Sequence, residues 1–229
     1  MSRPALSFTA LFAGLLLSVQ AMALSLSDLT QQDVSAGLKD ALTQGTKVAV
    51  QQLGKPGGFS INPEVRIELP GKLGKAAQKL KQFGLGAQVE LLETSMNQAA
   101  ETAMPQAQAL LVDAVKKMTV QDAKSLLSGG PDSATQYLDK SSREQIRAQF
   151  LPIVKKATAQ VGLVQQYNSF ASQAATFGVI DTKSANIENY VTEQALDGLF
   201  QMIAKQEASL RQNPAAAATG LARQVFGAL

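Results

Sequence analysis

Four side chains able to bind a cation or share a proton, Glu90, Glu93, Asn97 and Glu101, follow one another at steps of three and four residues. On a helix that spacing sets them along one stripe. Two carboxylates converging in a cleft can divide acid and base roles, and clustered oxygens hold hard cations. The plainer reading is a solvated or salt-bridged helix edge, because charges along a helix mostly serve solvation and pairing. The Asp-rich spacing of a calcium-binding loop is absent, and neither a metal nor a cofactor is expected.

A second constellation joins Tyr167 and Asn168 to Tyr190 and Asp197. Tyr190 and Asp197 lie two turns apart on one side of a helix. A buried acid, a phenol and an amide can orient a small ligand; the plainer reading is a satisfied interhelical hydrogen-bond network. The third candidate is Arg66, between Val65 and Ile67. Its guanidinium can grip a carboxylate or phosphate bidentately, form the solvent side of a short strand, or pair with an acid such as Glu101. Gly57-Gly58 and Gly129-Gly130 fit neither a phosphate loop nor a dinucleotide fingerprint and read as turns. The methionines read as core filler.

Two absences narrow the chemistry. Without histidine there is no imidazole base, no Ser-His-Asp triad and no His-ligated zinc. Without cysteine there is no thiolate nucleophile, disulfide, iron–sulfur ligand or lipid-acceptor thiol. The net charge of +3 falls by one if Arg3 leaves with a leader, and the basic residues form no stripe, so no nucleic-acid partner is expected.

The elements that must carry these residues read as helices. Thr30 and Asp33 suit N-cap and N3 positions, and Val34, Leu38, Leu42 and Leu53 then recur near helical period until the Gly54–Gly58 region with Pro56. Between residues 58 and 69, Phe59, Ile61, Val65, Ile67 and Leu69 alternate with polar residues. Broken by Asn62-Pro63-Glu64, this predicts a small β-hairpin-like element near residues 59–69. A helix from Pro70 to Phe83 stops at Gly84. A long one follows over residues 86–118, with Pro105 expected to kink or split it. Short helices are expected over residues 120–127 and 132–138. Another begins at Ser141 or Ser142, contains Pro152 and stops at Gly162. Residues 163–177 form a helix and 178–184 a loop. The helix over residues 186–211 has two apolar stripes and belongs near the centre of the bundle. A last short helix runs from Asn213-Pro214 to Phe226. The fold class is all-α, an irregular multi-helix bundle.

The N-terminus has the layout of a secretory leader. Arg3 is followed by an apolar run over residues 6–19 and by Ala21-Met22-Ala23, which predicts cleavage before Leu24. The run is short for a bilayer span, which takes about 20 residues. Residues 1–23 are therefore expected to be a signal peptide and 24–229 a single helical domain in the periplasm, with no transmembrane segment after cleavage.

Four stretches carry a family resemblance: Gly37-Leu38-Lys39-Asp40-Ala41-Leu42; Met96-Asn97-Gln98-Ala99-Ala100-Glu101; Asp122-Ala123 through Gly129-Gly130 and on to Phe150-Leu151-Pro152-Ile153-Val154; and Tyr190-Val191-Thr192-Glu193-Gln194-Ala195-Leu196-Asp197-Gly198-Leu199-Phe200. In this order and spacing they resemble the bacterial domain-of-unknown-function family 4197, over essentially the whole mature chain. The resemblance implies an exported, all-helical bacterial protein and no assigned activity. Gln98 departs from it, standing where the family pattern tends to a basic residue. The alanine-rich residues 216–224 depart from a stretch that usually carries Thr and Lys.

Three functions remain open. The first is a non-enzymatic protein binding a small or amphipathic ligand between helices, marked by a lined apolar cavity. The second is a cell-envelope scaffold or interaction module, marked by an exposed apolar patch such as the last helix with Leu221, Val225 and Phe226 would make. The third, ranked last, is a carboxylate-dependent hydrolase, which requires two convergent acids.

Overall fold

The computed structural model describes residues 26–119, 123–176 and 186–229. The predicted leader and the whole of the loop expected over residues 178–184 lie outside them. Eight α-helices and no strand occur among the described residues. Thr30 caps α1 (Gln31–Leu53) as its sequence predicts. Its Oγ1 accepts the Asp33 amide at 3.1 Å, satisfying one of the donors a helix start leaves orphaned. After α2 (Gly71–Leu80), a wider turn carries Gly84 at φ 79° and leads into α3 (Gly86–Lys117), which continues through Pro105 without a break. Next come α4 (Ala123–Leu127), α5 (Ser133–Gln160), α6 (Leu163–Thr176), α7 (Ile187–Gln212) and α8 (Gly220–Gly227).

The four long helices pack in a ring, α1 on α3, α3 on α5, α5 on α7 and α7 back on α1. α7 also reaches across to α3, and its two stripes, including Val191, Ala195, Leu199 and Ile203, are buried. Both stripes are buried as expected, but α7 is one of four helices in the ring and no more central than α1 or α3. α6 lies on α3 and α5, and α4 and α8 lie on α1. One hydrophobic cluster draws from every helix, with Phe59, Phe150 and Phe226 among its largest fully buried side chains.

Three sequence expectations need correction. The last helix, expected from Asn213-Pro214, begins only at Gly220, where the Thr219 hydroxyl caps it; before it, Pro214–Ala216 form a separate 3-10 turn. Residues 132–138 and the stretch after Ser141 are one continuous helix, α5. The Ser141 and Ser142 hydroxyls donate back to the Tyr137 and Leu138 carbonyls at 2.7 and 2.5 Å. They serve as interior helix residues, and the helix instead begins after Asp132. The largest correction concerns residues 59–69, which form no β-hairpin. The expected turn at Asn62-Pro63-Glu64 is there, with the Arg66 amide donating to the Asn62 carbonyl at 2.9 Å. Phe59 to Ile61 coil through turns, however, and Ile61 is 81% exposed. Residues 66–70 form neither helix nor strand, and residues 65–69 alternate buried and exposed as in an extended segment; helix side chains bond the Ile67 amide and carbonyl and the Glu68 carbonyl. Alternation arose because Val65, Ile67 and Leu69 point into the core. Any extended segment lying on helices shows period two, whether or not a second strand pairs with it.

Candidate functional site

The extended segment is held by three of the residues singled out above. Asn97 is 1% exposed. Its Oδ1 accepts the Ile67 amide at 2.9 Å and its Nδ2 donates to the Ile67 carbonyl at 2.8 Å and the Glu93 carbonyl at 2.7 Å. One carboxamide thus supplies both bonds a neighbouring strand would have given. Tyr190 Oη donates to the Glu68 carbonyl at 2.9 Å. Burial, together with the negative charges of Glu68 and Glu93, raises the Tyr190 phenol above its ordinary value. Arg66 Nη2 pairs with Glu93 at 2.8 Å; its acid is Glu93, one helical turn further out than Asn97. These contacts fix the segment over α7, where Gly198 makes the approach possible. A Cβ there would stand 3.0 Å from Phe59 Cε1 and 3.1 Å from Val65 Cβ.

One turn beyond Asn97, Glu101 holds the preceding loop. It is 7% exposed, and its Oε1 accepts the Phe59 amide at 3.1 Å, the Ser60 amide at 3.1 Å and the Ser60 hydroxyl at 3.2 Å. The acidic edge therefore splits three ways: Glu90 is exposed, Glu93 is in an ion pair, and Glu101 is buried against a loop. It does not form a carboxylate cluster, and among the described residues no group of three or more His, Cys, Asp or Glu could hold a metal ion.

Glu101 lines an open cleft of about 370 Å³ between the turn after α1, one face of α3 and the end of α5. Gly57 and Ser60 form one wall, Thr94, Gln98 and Thr102 another, and Val161 closes the side. Residues 94, 98 and 102 recur at four-residue steps, so α3 presents them in a row beside Glu101. The cleft is open and its lining mixes polar and apolar groups, unlike the enclosed apolar cavity expected for an amphipathic ligand. Glu101 is the single acid among its described lining residues, so it lacks the second carboxylate that acid–base hydrolysis needs.

The Tyr167, Asn168, Tyr190 and Asp197 constellation does not assemble. Tyr167 is buried on α6 and its phenol is raised by burial, while Asn168 on the same helix is exposed. No hydrogen bond among the described residues joins either to Tyr190 or Asp197. Asp197 is not buried: its side chain is 55% exposed and pairs with Arg143 Nη2 at 2.5 Å. That pair belongs to a network between α5 and α7 in which Arg143 and Arg147 meet Glu193. Burial alone would raise the Glu193 carboxyl, but hydrogen bonds from Arg143 and Arg147 outweigh it and hold it below its ordinary value. Burial likewise works against the Arg143 guanidinium, and its bonds to Glu193 and Asp197 raise it instead.

A second buried carboxylate escaped the sequence reading. Glu207, 4% exposed, accepts the Ala134 amide at 3.2 Å, the Thr135 amide at 2.8 Å and the Thr135 hydroxyl at 2.7 Å. Arg211 pairs with it at 2.7 Å and donates to the Leu126 and Leu127 carbonyls at 3.0 and 2.6 Å. The pair joins the end of α4 to the start of α5, and the Arg211 guanidinium also stands 5.9 Å from the centre of the Phe226 ring. The available signal was the Glu–Arg spacing of four near the end of α7. The exposed patch expected of the last helix is absent. Val225 and Phe226 are buried, and a Cβ on Gly37 of α1 would meet Val225 Cγ2 at 2.6 Å.

No helix among the described residues is long and apolar enough to cross a membrane. The chain matches no curated protein and no solved structure. Residues 28–227 match the family model described as a protein of unknown function, DUF4197, and the chain belongs to that family.

Proposed function

We propose that this protein is an exported, non-enzymatic binding protein that takes a small ligand into the cleft over Glu101. The observation that carries this reading is a carboxylate more than nine-tenths buried that nevertheless lines an open cleft. Buried charges are normally closed off by partners, and one that still borders a cleft has room for a further donor. The cleft lies within the size range of small-molecule sites, about 300–1,000 Å³. Its rim of threonine and glutamine suits hydrogen-bonded recognition better than the burial of an acyl chain. The absence of histidine and cysteine and the single acid in the described lining favour binding over turnover. Export rests on the leader layout of residues 1–23, with the mature chain starting at Leu24 in the periplasm.

Two experiments test this. In a small-molecule fragment screen of the mature protein read by backbone amide shifts, hits should converge on Ser60, Thr94, Gln98 and Thr102. Convergence on another surface, or no hits, sinks the cleft as the binding site. N-terminal sequencing of the protein recovered from the periplasm of its producing cells should begin at Leu24, and a retained leader contradicts export by cleavage.

A further inference from the structure

Glu101 uses one side of its carboxylate. All of its hydrogen bonds among the described residues fall on Oε1, and no lysine or arginine among them stands in an ion pair with it. An ionised carboxylate has about four acceptor positions on two oxygens, so Oε2 is available to a molecule that enters the cleft. An N–H-bearing cation is its chemical complement, because charge-assisted hydrogen bonds are about twice as strong as neutral ones.

The lining narrows the kind of cation. A calcium ion takes six to eight oxygen ligands, several of them carboxylates, and the described lining has one acid. Quaternary ammonium groups are recognised by aromatic cages, and no aromatic side chain is in the described lining. Threonine hydroxyls and a glutamine carboxamide are acceptors for the N–H groups of a primary ammonium, and Pro56 and Val161 offer apolar surface to a short carbon body.

We propose that the cleft over Glu101 binds the primary ammonium group of a small organic amine, with Oε2 of Glu101 accepting from it and Thr94, Gln98 and Thr102 around it. This deepens the ligand-binding reading and rests on it.

The Phe59 and Ser60 amides donate to the same carboxylate and therefore report on it. The test is a titration of the mature protein with n-butylammonium, tetramethylammonium and butyrate, followed by amide shifts. The expected result is a saturable shift of the Phe59 and Ser60 amides with n-butylammonium, and binding of the other two at least about tenfold weaker. Gln98→Lys places a tethered ammonium three residues from Glu101 in the same cleft. It should weaken n-butylammonium at least about tenfold while leaving amide shifts elsewhere in the bundle unchanged. The proposal is overturned if n-butylammonium leaves these amides unmoved, or if it binds wild type and Gln98→Lys equally. Saturation of the cleft by butyrate alone would overturn the amine assignment and leave the cleft as a binding site. If no probe or fragment reaches the cleft, both readings fall.

Discussion

Glu101 on α3 and Glu207 on α7 gather the same set of donors: two consecutive backbone amides and the hydroxyl of the second residue. They differ in how the carboxylate is completed. Glu207 divides its donors between both oxygens, and Arg211, one turn on, neutralises it within the core. Glu101 loads one oxygen, has no arginine or lysine partner among the described residues, and borders a cleft. The charge at Glu207 is closed and serves the α4–α5 junction. The charge at Glu101 holds a loop and retains capacity for a further donor.

This contrast is open to direct tests. Glu207→Ala should give the largest effect. It leaves the Arg211 side chain, 11% exposed, without its acid and two amides without their acceptor, and breaking a buried pair in this way costs about 3–5 kcal/mol. Urea unfolding of the mature protein measures it. Glu101→Ala strands donors but no cation, so a loss of about 1–3 kcal/mol is expected. If Glu101→Ala proves as costly as Glu207→Ala, the two sites are equivalent and the contrast fails.

Smaller effects sharpen the picture of the segment that Glu101 and Asn97 hold. Tyr190→Phe removes the bond to the Glu68 carbonyl and should cost about 1 kcal/mol. The Tyr190 phenol is raised in the folded protein, so its contribution is present below the ordinary tyrosine value near 10 and is lost as pH rises through the folded value. A pH series of thermal unfolding should show that alkaline loss shrink in Tyr190→Phe. The smallest effect belongs to Glu193, part-exposed between two arginines. Its carboxyl is lowered, so its contribution is present above the ordinary glutamate value near 4.3 and fades as pH falls through the folded value. Glu193→Gln should flatten the acid limb of the same series, and high salt should have a similar effect on the wild type.

The helices were legible because their apolar spacing, the Thr30 cap and the glycine stops after residues 53, 83 and 161 act locally. The break inferred before Ser141 failed for a related reason: serine can cap a helix or bond back within one, and tertiary packing decides which. The segment over residues 59–69 shows the limit of periodicity. Period two gave the buried faces of Val65, Ile67 and Leu69 correctly, but it carries no information about whether a strand or an asparagine satisfies the backbone. Among the candidate site residues, Glu101 and Asn97 were found because they share a stripe bordering an apolar face. Their roles differ from the metal or acid–base chemistry that the stripe allowed. Glu207 and Arg211 were missed because a spacing of four reads the same on a solvated surface as in a core. Asp197 was over-weighted on one helix, since its Arg143 partner lies fifty-four residues earlier and nothing local links them.

The most direct test of the open carboxylate is the affinity of n-butylammonium for wild type, Glu101→Gln and Glu90→Gln, measured at one pH and ionic strength. Glutamine at 101 keeps an oxygen for the Phe59 and Ser60 donors and removes the charge, while Glu90→Gln removes an equal charge from an exposed position on the same helix. The expected result is binding at least about tenfold weaker in Glu101→Gln and unchanged in Glu90→Gln. Equal affinity in all three would show that the carboxylate of Glu101 recognises nothing and only holds its loop.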